Sequence, residues 1–267
     1  MTVQLHGWWV DTARGIDLSR PIRFGDPAPR PWGMSPAASR PVEADGFIGD
    51  TDQGGSVNCH RLCLIAHTDG THTETWAHLD TRGPSVSSLR LPPLMPVAVW
   101  HVPARRLSEA GETGTTGAEG MDAVITAAEL KAAQRRASVK VPDLAPQALL
   151  VLCEESDPGV LPPYLTEEAM AWLSMLPVLH LLLDVPSVDR LLDGGALANH
   201  RRWWGLDPVP NALPRHPART ITELVARPAT LPAEGLWALH LQVPAMDSDA
   251  APSRPVLYPL SASAPDS

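Results

Sequence analysis

With 267 residues, 44% of them hydrophobic, the chain has enough apolar material for a sizeable core. Its formal charge of −9 argues against a nucleic-acid footprint, which needs a basic stripe. Its apolar runs fall far short of the roughly eighteen residues that span a bilayer.

The chain reads as one domain, residues 1–267, beginning with an N-terminal arm over 1–45. Met1–Asp11 lacks the basic start and apolar core of a signal peptide. Residues 20–44 hold Pro21, Pro27, Pro29, Pro31, Pro36 and Pro41, a density that excludes a helix or a central strand. An extended arm over a surface is expected, with Trp8, Trp9 and Trp32 packing in or near it. Gly46 to Gly55 marks a turn, and Val57–Ile65 reads as a strand. Cys59 and Cys63 would then share its core-facing side. With Cys153 they make three cysteines and no Cys-x-x-Cys pair, so reduced, buried thiols in a cytoplasmic protein are expected.

Met95–Val102 reads as a buried strand. Residues 104–120 show no apolar period and read as a surface loop. Thr126-Ala-Ala-Glu129 has the form of a capping box, opening a helix through about Ala137. Ala148–Cys153 is a strand, followed by Glu154-Glu155 and a loop from Pro158 to Pro163. Thr166 starts a helix with Ala169, Leu173 and Leu176 at helical spacing. Val178–Asp184 is a strand with His180 as a core histidine. A helix between two such strands fits a crossover joining parallel neighbours. Ser187 and Asp189 follow in a turn. Thr220–Ala226 and Gly235–Val243 are strands, residues 251–259 close the fold, and 261–267 form a polar tail. Composition suggests α/β or α+β.

The densest chemistry lies in His67-Thr-Asp-Gly-Thr-His72-Thr-Glu74-Thr-Trp-Ala-His78, which holds three of the ten histidines. Imidazoles and a carboxylate at this spacing, placed at a strand end and in the loop after it, suit a divalent metal such as zinc or manganese. Glu223, in an apolar strand, needs a partner, and a metal is a natural one. Trp76 and the pair Trp203-Trp204 would suit an aromatic wall for an aryl substrate. Ser187 lacks a Gly-x-Ser-x-Gly elbow, which sets aside a serine nucleophile.

The stretch resembles the signature of the cyclase-like metal-dependent hydrolases, the family of bacterial kynurenine formamidase and isatin hydrolase, whose pattern is His-x-Gly-Thr-His-x-Asp-x-x-x-His. Gly70-Thr71-His72 and His78 match. The first histidine lies five residues before His72 rather than four, and Glu74 stands where the pattern has Asp. Asp184-Val-Pro-Ser187-Val-Asp189, His200 and Ile221-Thr-Glu223-Leu have counterparts, so the resemblance runs from about Gly46 to about Leu260. It implies an α/β swivelling β/β/α fold, with a mixed β-barrel-like core flanked by helices. It implies one or two Zn or Mn ions on His67, His72, Glu74, His200 and Glu223, with Glu74 and Glu223 bridging. A metal-bound hydroxide would attack an amide or cyclic-amide carbonyl, with His78 as general acid–base. The partners expected are a small-molecule substrate and further copies of the chain, as a homodimer or homotetramer, without nucleic acid or membrane. The alternative is a catalytically degenerate relative serving as a binding or structural module.

Overall fold

The computed structural model describes residues 2–28, 30–138, 144–154 and 161–263. In chain order, the first half contains β1 (Thr2–Leu5), β2 (Trp8–Asp11), β3 (Ile16–Asp17), β4 (Ala38–Pro41), β5 (Glu43–Ala44), β6 (Phe47–Ile48), β7 (His60–Cys63), α1 (Ala66–Asp69), β8 (His72–Glu74), β9 (Met95–Val102), β10 (Arg105–Arg106), α2 (Leu107–Ala110), β11 (Ala123–Ile125) and α3 (Ala127–Ser138). The second half contains β12 (Ala148–Cys153), β13 (Tyr164–Leu165), α4 (Glu167–Leu173), β14 (His180–Leu183), α5 (Ala198–Trp204), β15 (Thr220–Glu223), β16 (Gly235–Gln242), β17 (Ala250–Pro252) and β18 (Arg254–Ser261). The architecture is mixed α/β and dominated by sheet.

Eleven strands make the main sheet, in the order β1-β2-β18-β16-β9-β12-β14-β15-β8-β17, with β3 on β18. The centre, β9-β12-β14-β15, is parallel. It is flanked by antiparallel β16 on one side and β8 on the other. β12 and most of β9 and β14 are apolar runs, as expected where both faces are covered, whereas β15 reads Thr-Ile-Thr-Glu. Alternation sorts their side chains: Trp100, Leu149, Val151, Leu181 and Leu183 pack with residues of α3, α4 and α5. Val97, Val99, Leu150, Leu152 and Leu182 form a second cluster on the opposite face, with Leu239 and Leu257. α4 lies between the parallel neighbours β12 and β14, as a crossover requires. His180 is a core histidine, its Nδ1 2.9 Å from Thr220 Oγ1.

Several local expectations are corrected. The strand near 57–65 is only β7, all four residues of which are exposed, paired with β4 in a two-stranded ribbon. Cys59 and Cys63 are therefore exposed, and only Cys153 is buried. Residues 2–17 are not part of an arm: β1, β2 and β3 extend the main sheet. Beyond them Pro31–Gly33 form a short 3-10 turn despite the proline density, and Pro41 lies in the β4–β7 ribbon, where the missing amide is tolerated. Residues 104–120 are not simply a loop. They contain β10 and α2, and the Glu112 carboxylate accepts from the Ala127 and Ala128 amides at the start of α3 and from Thr166 Oγ1. Glu155, residues 158–160 of the expected loop and residues 264–267 of the expected tail lie outside the described residues. No helix among the described residues is long and apolar enough to cross a membrane.

Candidate metal centre

The centre is built on β8, a buried strand of only three residues. Strand alternation sends His72 and Glu74 to one face and Thr73 to the other, where its hydroxyl meets Thr222 Oγ1 at 2.8 Å. Register does the rest. Glu223 of β15 lies directly opposite His72, so it joins the same face, and His72 Nε2 stands 3.6 Å from Glu223 Oε2. Gly70 allows the approach to β8: a Cβ there would come within 2.8 Å of the Arg20 carbonyl and 2.9 Å of Ile22.

His67 comes from α1, a single turn rather than the expected loop. Asp69 fixes that turn by accepting from the Ile65 amide and from Arg30 of the extended segment. His67 Nδ1 is then 3.3 Å from Glu74 Oε2. His78 closes a 3-10 turn after β8, with Nδ1 3.9 Å from Glu74 Oε2. His200 arrives on α5. Asp189 accepts from the His200 and Asn199 amides and from His200 Nδ1 at 2.7 Å, which aims Nε2 at Glu74 Oε1, 3.2 Å away, and at Glu223 Oε1, 3.6 Å away.

All six residues expected at the site therefore converge: His67, His72, Glu74, His78, His200 and Glu223. Five of them form two overlapping groups, His72–Glu74–Glu223 and His67–Glu74–His78, within each of which one ligand atom per residue lies within 4.8 Å of the others; His200 stands beside both carboxylates. Glu74 belongs to both, in keeping with a bridging role. Among the histidines of the described residues Glu223 reaches His72 and His200, and its Oε1 also accepts from the Val188 amide.

The buried atoms fit a cation. Both Glu74 oxygens are buried without a hydrogen-bond donor in alignment, and His72 Nε2 is likewise unpartnered. His72 Nδ1 faces the Gly70 carbonyl, so Nδ1 carries a hydrogen, and in a neutral ring Nε2 presents its lone pair towards a carboxylate. Lone pairs facing one another in a dry site are stable only with positive charge between them. Imidazole nitrogens with carboxylate oxygens make a suitable donor set for zinc or manganese.

The ionisation pattern agrees. Burial opposes the charge on His67, yet its hydrogen bond to Asp249 and the nearby Glu74 carboxylate push it up to about 10. Burial opposes the charge on His200 as well, but Glu74 and Asp189 raise it well above the usual imidazole value. Burial would raise Glu74; His78 and His200 instead hold it well below the usual carboxylate range. The carboxylates favour positive charge here, whether it arrives as protons or as a cation.

The aromatic wall is corrected. Trp203 and Trp204 are fully buried, their indole N–H groups donating to the Thr220 and Arg219 carbonyls. Trp204 backs the His200 ring at 6.0 Å between centroids. Trp76 is also a core residue. Asp249 carries no local sign in the sequence, yet its Oδ2 lies 2.9 Å from His67 Nε2 and 3.3 Å from His78 Nδ1.

Residues 16–190 match the family model named Cyclase. A kynurenine formamidase from Bacillus thuringiensis (strain Al Hakam) is 25% identical over 262 residues, covering 94% of this chain and 100% of that protein. Isatin hydrolase A from Labrenzia aggregata, bound to benzyl benzoate, has a similar structure, with a TM-score of 0.57 at 16% identity over 92% of this chain and 93% of that one. A potential metal-dependent hydrolase with cyclase activity gives 0.58 at 14% identity, over 92% of this chain and 97% of its own. At such identities the structural likeness speaks for the fold.

Proposed function

The chain belongs to the cyclase family, and from that premise we propose that it is a metal-dependent hydrolase of carbon–nitrogen bonds in amides or cyclic amides. The observation that carries this is Glu74, a fully buried carboxylate with no well-aligned donor on either oxygen, facing three imidazoles. The names of the relatives, a formamidase and an isatin hydrolase, favour a small molecule with a scissile carbon–nitrogen bond.

His72, Glu74, His200, Glu223 and His67 would hold one or two zinc or manganese ions. Such a cation supplies Lewis acidity, which makes water more acidic and polarises a carbonyl. The chain's own residues do the rest. Buried His72, His200 and Glu223 exclude bulk solvent from the floor of the site. Asp189 keeps His200 in one orientation, as a carboxylate behind a ligating histidine does elsewhere. His78, on the exposed rim, takes and returns the proton of the reaction.

Elemental analysis of purified protein, with a hydrolysis screen over formyl-anilides, cyclic imides and lactams, tests the reading. Divalent metal bound to the chain and turnover on one of these classes are expected. Protein that binds no divalent ion would defeat the metal assignment. Metal-loaded protein inert on the whole screen would defeat the hydrolase assignment and leave a binding module.

A further inference from the structure

The floor and the rim of the site differ. Glu74 and His72 have no exposed side-chain surface, whereas the side chains of His67, His78 and Asp249 are 23%, 24% and 35% exposed. Asp249 reaches the rim through backbone pairing. β17 lies antiparallel to β8 with Ala250 opposite Glu74, and the Thr75 amide donates to the Asp249 carbonyl at 3.0 Å. Ser248 Oγ donates to Oδ1 at 3.0 Å, which leaves Oδ2 to face the two histidines.

An ionised carboxylate accepts hydrogen bonds and donates none. Both ring nitrogens that face Oδ2, His67 Nε2 and His78 Nδ1, therefore carry hydrogen. In a neutral imidazole the lone pair is then on the other nitrogen. For His67 that is Nδ1, the atom 3.3 Å from Glu74 Oε2. For His78 it is Nε2. We propose that Asp249 is a positioning residue that sets opposite tautomers on its two neighbours, reserving His67 Nδ1 for the cation and His78 Nε2 for the proton transferred to or from substrate.

This assignment resolves an ambiguity in the geometry. His78 falls within ligand distance of Glu74 and His67 and could be taken as a third metal ligand. With Nδ1 bearing hydrogen towards Asp249, the His78 nitrogen nearest Glu74 has no lone pair to offer, so His78 stays an acid–base group. One carboxylate thus couples the metal side of the site to its proton-transfer side. The role rests on the metal-dependent hydrolase reading, but its main test needs no substrate.

The test is long-range proton–nitrogen NMR of the full chain labelled with nitrogen-15 histidine and loaded with zinc, the signals assigned from His67→Gln and His78→Gln spectra. The expected result is the Nδ1–H form at His78 and the Nε2–H form at His67. In Asp249→Ala, His78 should become a mixture of tautomers, and zinc affinity should fall by roughly 10- to 100-fold, the usual cost of losing a carboxylate behind a ligand. On any substrate found in the screen, kcat should fall by about 10²-fold with little change in KM, and Asp249→Glu should recover part of it. His78 as Nε2–H in the parent protein, or tautomers unchanged in Asp249→Ala, would overturn the proposal. Loss of a full equivalent of zinc at saturation in Asp249→Ala would overturn it too, because Asp249 would then be a ligand. Failure to take up zinc would count against the metal reading separately, and the His78 tautomer would still be read in the zinc-free protein.

Discussion

Glu74 is where the chain departs from the family pattern, and its two oxygens face different histidines, His200 across Oε1 and His67 across Oε2. Shortening it by one methylene withdraws both by about 1.5 Å, against a tolerance of roughly 0.2 Å for a metal–ligand distance. Glu74→Asp is therefore expected to lose metal affinity and activity although it installs the family's own residue, and metal titration measures it. An affinity equal to that of the parent would show that the departure is drift. His72→Asn should lose metal, whereas His78→Asn should keep it and lower turnover by about 10²- to 10⁴-fold. Equal metal loss in both would make His78 a ligand. Most of the site was legible at this scale because His67 to His78 lie close together in the chain. Asp249 was not, since it is 171 residues from His78 and sits between Ser248 and Ala250 like any polar turn residue. The tryptophans misled because an aromatic pair suits a pocket wall and a core equally well. Only the indole bonds to Thr220 and Arg219 decide for the core.

At the scale of elements, β9 and β12 match their expected bounds because long apolar runs admit few alternatives. β8 was hidden: His-Thr-Glu reads as loop, yet it is a buried strand whose polar side chains serve the site. The segment 104–120 was misread because its contributions are polar, the Glu112 carboxylate and the Thr113 bonds to Glu168 among them, rather than an apolar face. Glu112→Ala removes the acceptor for the first amides of α3 and should cost about 1–2 kcal/mol in denaturant unfolding. A change within about 0.5 kcal/mol would restore the surface-loop reading. β14 begins at His180 and is followed directly by Asp184, and the two titrate in opposed directions. Burial pushes His180 down to about 4 from 6.5, so the unfolded chain takes up the proton first and stability falls as pH drops through that window. Burial pushes Asp184 up to about 6 from 3.8 against the Cys153 amide and Arg227. Its contribution is complete below 3.8 and is lost as pH rises to about 6. Relative to the parent, His180→Gln should therefore gain stability on acidification, by up to roughly 3 kcal/mol, and Asp184→Asn should gain it as pH rises. Unfolding free energies at pH 4.5 and 6.5, measured in roughly these two buffers, would test the opposed slopes; slopes of the same sign would refute the assignment.

For the whole molecule, a cation at this centre would join α1, β8, α5 and β15, segments far apart in the chain. Anything that binds only the folded state stabilises it, by about 2.7 kcal/mol at a hundredfold excess over Kd. Chelation should therefore lower the melting temperature, and zinc or manganese should restore it. A melt indifferent to both would mean that the centre holds no ion. The order of strands has a further consequence during synthesis. β8 leaves the ribosome early, but its two sheet neighbours, β15 and β17, are made much later. A nascent chain that has just passed His78 carries the densest cluster of ligands without Glu223 opposite His72 or Asp249 behind His67. Until those segments emerge, the cluster is a set of unpaired side chains on a three-residue strand with no edge partners. Capture of an ion would then be a late event, marking that translation has passed Asp249 and that the two halves of the chain have met.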